Sequence, residues 1–184
     1  NPFRLDELRM IHKAVDHCGR KIIISLSPGD DTHLDDVDSL RKYSAMWRIS
    51  SDFWDKWSSL KGNFNLLAQW NEHFPKTGWP DGDMLPIGTL IGSRPSAFTL
   101  QEVRSMMSVW CFARSPLILS CDLTKNPEDM LAIETQPVLL AINQKGTGNK
   151  VMQYDENGQI WTASVKGKLY LGMFNLSDAP RNFS

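Results

Sequence analysis

The spacing of apolar positions changes several times along the chain, and each change marks an element. Leu5, Leu8, Ile11 and Val15 fall on one side of a first helix, which Gly19 stops just after His17 and Cys18. Lys21–Ser27 (KIIISLS) is a continuous β-branched run, the pattern of a strand buried on both faces of a parallel sheet. It breaks at Pro28-Gly29. An acidic loop, Asp30 to Asp36, leads into a second helix around Val37–Tyr43. Met46–Ser50 predicts a short strand, followed at once by a helix from Phe53 carrying Trp54, Trp57, Leu60 and Phe64 at helical spacing. After Pro75 the chain reads as loop through Trp79–Leu85. Thr99 and Glu102 form a capping box opening a helix with Val103, Met106, Met107 and Trp110 on one side. Pro116–Ser120 predicts another buried strand. Asn126-Pro127 reads as an N-cap and first helical residue, and two short helical pieces then end at Asn143-Gln144.

After Gly146-Thr147-Gly148 the pattern changes. Lys150–Tyr154, Ile160–Val165 and Leu169–Asn175 read as short strands, parted by turn signals at Glu156-Asn157-Gly158 and Lys166-Gly167. Before that point, helix and strand alternate with connections suited to right-handed βαβ units. A closed barrel needs eight such units over roughly 250 residues, and about four are counted here. The predicted class is therefore α/β. Residues 1–145 read as the second half of a (β/α)8 TIM barrel, and residues 146–184 as the start of an antiparallel β-sandwich domain. The missing N-terminal half of the barrel would lie before Asn1, which does not read as a natural start, and it becomes an expected partner.

Composition narrows the function classes. The 184 residues are 41% hydrophobic with 12 glycines, enough apolar content for a substantial core. Net charge is −1 and Lys and Arg are scattered, so no nucleic-acid partner is expected. No apolar run reaches the length of a membrane span, and no signal peptide is visible. Cys18, Cys111 and Cys121 lack CxxC spacing, which points to free thiols, buried at Cys111 and Cys121. His12, His17, His33 and His73 show no H-x-x-x-H spacing, so neither a metal nor a cofactor is expected.

Candidate chemistry collects at the predicted strand ends: Ser25 and Ser27, then Arg48 with Asp52, then Asp81 and Asp83. Active sites of (β/α) barrels gather on that rim. Asp52 has two readings. It is the N-cap or first-turn acid of the following helix, or a carboxylic acid walled by Trp47, Trp54 and Trp57, desolvated so that its pKa rises as a general acid requires. Ser and Asp at such turns often cap helices, but three polar sites on one predicted rim favour a ligand site. Asp81-Gly82-Asp83 resembles the DxD by which glycosyltransferases hold a metal–nucleotide-sugar. No Gly-rich phosphate loop accompanies it, and Trp79-Pro80 marks an irregular loop more than a strand end. The seven tryptophans suit stacking on sugar faces, although most sit at core-facing spacing.

Gly19–Ser25 (GRKIIIS), Trp47–Asp52 (WRISSD), Trp79–Leu85 (WPDGDML), Ser108–Trp110 (SVW), Ser115–Leu123 (SPLILSCDL) and Ala141–Gln144 (AINQ) follow one another over nearly all of residues 1–145. In that order they resemble the α-galactosidases of glycoside hydrolase family twenty-seven. The short turn Ser25–Gly29 looks more like a bacterial branch than the animal lysosomal enzymes. The resemblance implies a retaining α-glycosidase acting on a carbohydrate, by default terminal α-linked galactose, and a secreted or periplasmic location. It places Asp52 at the catalytic acid/base and Arg48 where an arginine reaches sugar hydroxyls. Asp83 with Met84 would line the pocket, with Asp81 and Trp79 in the loop that holds its shape. The Ser27-Pro28 loop, on the rim with Ser25, would judge the sugar's 2-substituent. Several family members carry a glutamate or a serine-tryptophan pair there, and the animal enzymes read Asn-Asp-Pro-Asp where this chain has Pro80–Asp83. An N-acetylgalactosaminide, a β-L-arabinopyranoside or an α-glucan therefore stay open as substrates. The family's nucleophile, an aspartate ending the fourth barrel strand, would fall before Asn1, so the chain alone is expected to be inactive. The rivals are a sugar-binding relative without catalysis and the DxD glycosyltransferase.

Overall fold

The computed structural model describes residues 4–29, 32–72 and 77–183. Its first part interleaves helices with short strands: α1 (Leu5–His17), β1 (Ser25–Leu26), α2 (Val37–Tyr43), β2 (Met46–Arg48), α3 (Trp57–Asn71), β3 (Trp79–Asp81) and α4 (Leu100–Ala113). Two short helices follow, α5 (Glu128–Glu134) and α6 (Pro137–Lys145). Three longer strands end the chain: β4 (Thr147–Asp155), β5 (Gly158–Val165) and β6 (Lys168–Asn175). The class is mixed α/β, as the sequence predicts.

β1, β2 and β3 pair in parallel and in chain order, with Ser25 opposite Met46, Met46 opposite Trp79, and Arg48 opposite Asp81. Alternation along a strand puts Met46 and Arg48 on one face and Trp47 on the other. Trp47 is fully buried, its ring 6.2 Å from that of Trp70 on α3. Gly78 permits this packing, because it sits at φ +83 and a Cβ there would stand 2.7 Å from the Trp47 ring. Leu60, Phe64 and Leu67 bury one side of α3. Val103, Met106, Met107 and Trp110 do the same on α4, whose capping box is made in both directions between Thr99 and Glu102.

Several elements depart from the sequence reading, each for a local reason. Only Ser25–Leu26 of the run Lys21–Ser27 is strand, and Ile22 and Ile23 are exposed. Among the described residues β1 has a partner strand on one side only, so the flanking residues lack a ladder to join. Pro116–Ser120 pairs at a single parallel bridge, Leu119 with Leu85, and Ile118 is partly exposed. The helix expected from Phe53 begins at Trp57. The Phe53 N–H donates to Asp83 Oδ2 at 2.8 Å, which ties the segment to a distant loop and leaves Trp54 outside the helix, exposed. Trp79–Asp81 is a strand and not an irregular loop. It lies at an edge of this sheet, where Pro80 can be accommodated without its N–H. Pro127, not Asn126, occupies the N-cap of α5, while the Asn126 amide donates to Glu134 Oε2 at 2.6 Å. On α1 only Leu8 is buried and Ile11 is half exposed. Asp30, Asp31, His73 and Pro75 lie outside the described residues.

The antiparallel strands share a core with the helices. Phe174 of β6 packs edge-on against Phe64 of α3 and Phe112 of α4. Buried amides stitch the two parts: Asn71 Oδ1 accepts from the Val151 N–H at 2.9 Å, and Gln159 Nε2 donates to the Phe64 carbonyl at 2.9 Å. All three cysteines are free thiols. Cys111 is buried, which pushes its thiol up to about 12; Cys121 is partly covered and Cys18 exposed.

Candidate active site

Arg48 ends β2, and its guanidinium organises the rim. Nη2 donates to Asp52 Oδ1 at 3.0 Å and to the Ser50 carbonyl at 3.2 Å, which Nε also reaches at 3.2 Å. Nη1 donates to Ser27 Oγ at 3.3 Å and stands 3.4 Å from Asp83 Oδ2. One planar fork thus ties the end of β1, the turn after β2 and the loop after β3, a geometry that suits arginine and not lysine.

Asp83 owes its place to an unusual backbone. It sits at φ 82 without being glycine, and its own groups hold it there. Its N–H donates to Asp81 Oδ1 at 2.9 Å, and its Oδ1 accepts from the Met84 N–H at 2.8 Å. Its carbonyl accepts from Trp110 Nε1 at 3.2 Å. Gly82 between the two aspartates lies so close to Trp110 that a Cβ would stand 2.9 Å from the indole. The Gly82 N–H donates to Ser115 Oγ, and its carbonyl accepts from Asn63 Nδ2. Asp81 is buried, which raises its carboxyl above the usual range; the Asp83 N–H opposes that shift and the Asp83 charge adds to it. Asp81 Oδ1 is taken up by the Asp83 N–H, and the Asp83 oxygens by the Phe53 and Met84 N–H groups and by Arg48, where a DxD metal site would need these oxygens free. Among the described residues no three His, Cys, Asp or Glu side chains gather as metal ligands.

The structure therefore brings together Arg48, Asp52, Asp83 and Ser27, with Asp81 beneath them and Met84 exposed beside them. Ser25 and Trp79 do not join this group. Both pair with Met46, two positions before Arg48, so they lie one layer lower on the sheet face. The reading of Trp79 as part of the pocket loop is corrected accordingly, since it is the first residue of β3. The tryptophan wall around Asp52 is corrected too. Trp47 points to the opposite face of the sheet and Trp54 projects outward, so the Asp52 side chain is 78% exposed and not desolvated.

Three cavities border Asp52: the first, about 680 Å³, is lined by Ser50, Ser51, Phe53, Asn63 and Trp70, and two others also reach Arg48. One, about 400 Å³, is bounded by Ser27, Pro28, Gly29 and Ser51. The other, about 330 Å³, is bounded by Asp83, Met84, Leu90 and Ile91. Arg48, Asp52 and Trp54 border both.

The sequence reading missed Asp55 and Arg94. Arg94 Nη1 and Nη2 grip the two oxygens of Asp55 at 2.6 and 2.9 Å, and the Ala97 N–H adds a third bond at 2.7 Å. No local pattern signals a pair 39 residues apart; only the position of Asp55, three residues beyond a candidate catalytic acid, could have drawn notice. The Arg94 hydrogen bonds hold the Asp55 carboxyl down at about 2 against an opposing effect of burial. A carboxyl depressed below its unfolded value of 3.8 contributes stability that is complete above that value and lost as pH falls through about 2. Asp55 is buried but Arg94 is half exposed, so screening reduces the pair to roughly 1–2 kcal/mol. Asp55→Asn should lose about that much at neutral pH, and its deficit against wild type should shrink between about pH 4 and pH 2. Urea unfolding across this range measures it; a deficit that stays constant with pH would remove the ion pair as its cause.

With this geometry in view, comparison with known proteins is specific. The Melibiase_2 family, described as alpha galactosidase A, matches residues 4–145. A rice α-galactosidase is 31% identical over 121 residues, 65% of this chain and 28% of the rice protein. An α-galactosidase of Coffea arabica is 28% identical over 162 residues, 86% of this chain and 40% of that protein. The crystal structure of a family twenty-seven β-L-arabinopyranosidase from Geobacillus stearothermophilus superposes with a TM-score of 0.88 at 36% identity, covering 95% of this chain and 42% of the enzyme. The chain thus spans less than half the length of these relatives. No helix among the described residues is long and apolar enough to cross a membrane. The chain belongs to glycoside hydrolase family twenty-seven, the α-galactosidase-like glycoside hydrolases.

Proposed function

We propose that the protein is a retaining α-glycosidase acting on terminal α-linked galactose, with Asp52 as its acid/base. The observation that carries this reading is the cluster at the ends of three parallel strands, where one arginine holds an exposed carboxylate and a buried one on a single rim. In the first step Asp52 gives its proton to the glycosidic oxygen as the C1–O bond breaks and a carboxylate attacks C1 from the opposite face. In the second, Asp52 takes a proton from water as that water attacks C1 and releases the carboxylate. Arg48 orients Asp52 and offers N–H groups to sugar hydroxyls, with Ser27 beside it; Asp83 and Met84 line the pocket.

The nucleophile of this reading comes from outside residues 1–184. Retention places it about 5–5.5 Å from the acid, across the anomeric carbon. Asp83 accepts from two backbone N–H groups and lies against the same guanidinium as Asp52, which leaves it no approach from the opposite face. Residues 1–145 then form the C-terminal portion of a (β/α)8 barrel, and residues 146–184 begin a C-terminal β domain. The missing N-terminal half of the barrel completes the site and covers the exposed Ile22 and Ile23 beside β1.

Residues 1–184 purified alone should show no hydrolysis of an aryl α-galactoside, and adding the proposed barrel half should restore it. Turnover by the lone chain that disappears in Asp52→Asn would mean a nucleophile within it. A second sugar reading has specific support. The arabinopyranosidase from Geobacillus stearothermophilus, also solved in complex with arabinose, matches more of this chain, and at higher identity, than the rice α-galactosidase does. A β-L-arabinopyranoside has the ring stereochemistry of an α-galactoside without the C6 hydroxymethyl group. Comparing kcat/KM on aryl α-D-galactopyranoside and aryl β-L-arabinopyranoside separates the two.

A further inference from the structure

Between β2 and α3 the chain from Ile49 to Lys56 has neither helix nor strand to hold it, yet it carries Asp52. Successive side chains alternate there. Asp52 and Trp54 project outward, 78% and 56% exposed, whereas Phe53 is half-buried and Asp55 buried. The Asp52 carboxylate meets Arg48 Nη2 at 3.0 Å, which steadies one oxygen but not the backbone that bears it. Where the carboxyl stands is set by what grips its neighbours.

Ahead of Asp52, the Ile49 N–H donates to the Asp81 carbonyl at 3.0 Å and the Ser50 carbonyl accepts from Arg48. Behind it stand two grips. The first is the bond from the Phe53 N–H to Asp83 Oδ2 at 2.8 Å. One bond of that kind leaves a segment free to pivot about it, and α3 adds no side-chain cap at Lys56. Asp55 supplies the second grip. Arg94 Nη1 and Nη2 hold its two oxygens and the Ala97 N–H adds a third bond, so both the place and the plane of this carboxylate are fixed. Arg94 itself stands on a braced turn. Thr89 bridges Pro95, Leu90 bridges Cys121, and the Asp122 N–H donates to the Thr89 carbonyl at 2.7 Å. Asp55 thus ties the segment to a support outside the Arg48 cluster.

A general acid works only within hydrogen-bond reach of the oxygen it protonates, and a displacement of about 1 Å can cost on the order of 10²-fold in rate. We propose that Asp55 is a positioning residue: gripped by Arg94 and the Ala97 N–H, it sets where Asp52 stands against the glycosidic oxygen. The inference rests on the glycosidase reading above and adds to it a residue that acts through the acid and not on the sugar. Asp55 does not serve as a second acid or as the nucleophile, because Arg94 and Ala97 take up both its oxygens.

The test uses the complete enzyme and whichever glycone it cleaves, presented as a disaccharide and as an aryl glycoside whose leaving group departs with little proton donation. Because kcat/KM stops at the first irreversible step, and the ratio between two substrates cancels the amount of folded enzyme, a loss of stability alone does not move that ratio. In Asp55→Asn the disaccharide-to-aryl ratio of kcat/KM should fall about tenfold, less than on loss of the acid itself, since asparagine keeps one acceptor oxygen. Arg94→Lys exchanges two parallel hydrogen bonds for a point charge and should lower the ratio too. In an Asp52→Asn background no acid remains to be aimed, so adding Asp55→Asn should leave the ratio where Asp52→Asn alone puts it. An unchanged ratio in either single variant, or the same further fall in the Asp52→Asn background, would overturn the positioning role. A wild-type enzyme that turns over neither substrate, or an Asp52→Asn variant with the wild-type ratio, would instead remove the glycosidase reading, and the role with it.

Discussion

Asp52→Asn in the complete enzyme is expected to lower kcat/KM on an unactivated disaccharide by about 10²–10⁴-fold, the usual contribution of a positioned general acid. Asparagine keeps the shape of the side chain and can still accept from Arg48 Nη2, so the cluster should persist and the loss should be chemical. An aryl substrate with a good leaving group should suffer much less in its first step, since that group departs with little proton donation. The second step still needs a base, so the glycosyl-enzyme should accumulate and a burst should appear. Azide, which attacks without deprotonation, should then raise turnover of the aryl substrate in the mutant. Equal rates for wild type and Asp52→Asn on the disaccharide would exclude Asp52 from the mechanism.

Arg48→Met should damage stability and catalysis together. The substitution preserves most of the apolar stem and removes the fork. It leaves the Ser50 carbonyl without its two donors and the buried Asp83 carboxylate without its facing cation. Two backbone N–H groups still serve Asp83 and Asp52 is exposed, so the loss should be about 2–3 kcal/mol, below that of a fully buried pair. For a domain of this size that corresponds to a fall in Tm of roughly 5–10 °C. Catalysis should drop by about 10²-fold, through misplacement of Asp52 and loss of N–H groups toward the sugar. Arg48→Lys should recover part of the stability and little of the rate, because a point charge cannot bridge Ser27, Ser50, Asp52 and Asp83 at once. Thermal unfolding and kcat/KM measured on the same preparations decide this. A lysine variant with full activity would reduce Arg48 to a charge.

What the sequence made legible is what local patterns determine. The capping box and the side Val103, Met106, Met107 and Trp110 define α4, and the turn signals at Asn157-Gly158 and Lys166-Gly167 separate β4, β5 and β6. Lys21–Ser27 and Pro116–Ser120 were less legible, since a strand extends only where a neighbour pairs with it. The start of α3 escaped because the Phe53 N–H bonds to a carboxylate 30 residues away in place of closing a helical turn. The same holds for the site. Arg48, Asp52 and Asp83 stood out as polar residues at strand ends. The Asp55–Arg94 pair did not, because its meaning lies in a contact between two loops. Ser25 and Trp79 were grouped with the rim by proximity in sequence, whereas the register of the sheet sets them a layer lower.

Anchoring residues 53 and 55 makes residue 54 mutationally independent of residue 52. A change at Trp54 does not loosen the hydrogen bonds that hold this segment, since they run through Arg48, the Phe53 N–H and Asp55 and do not involve the indole. The exposed surface beside Asp52 can therefore vary at this one outward position under little pressure for compensating change in the core.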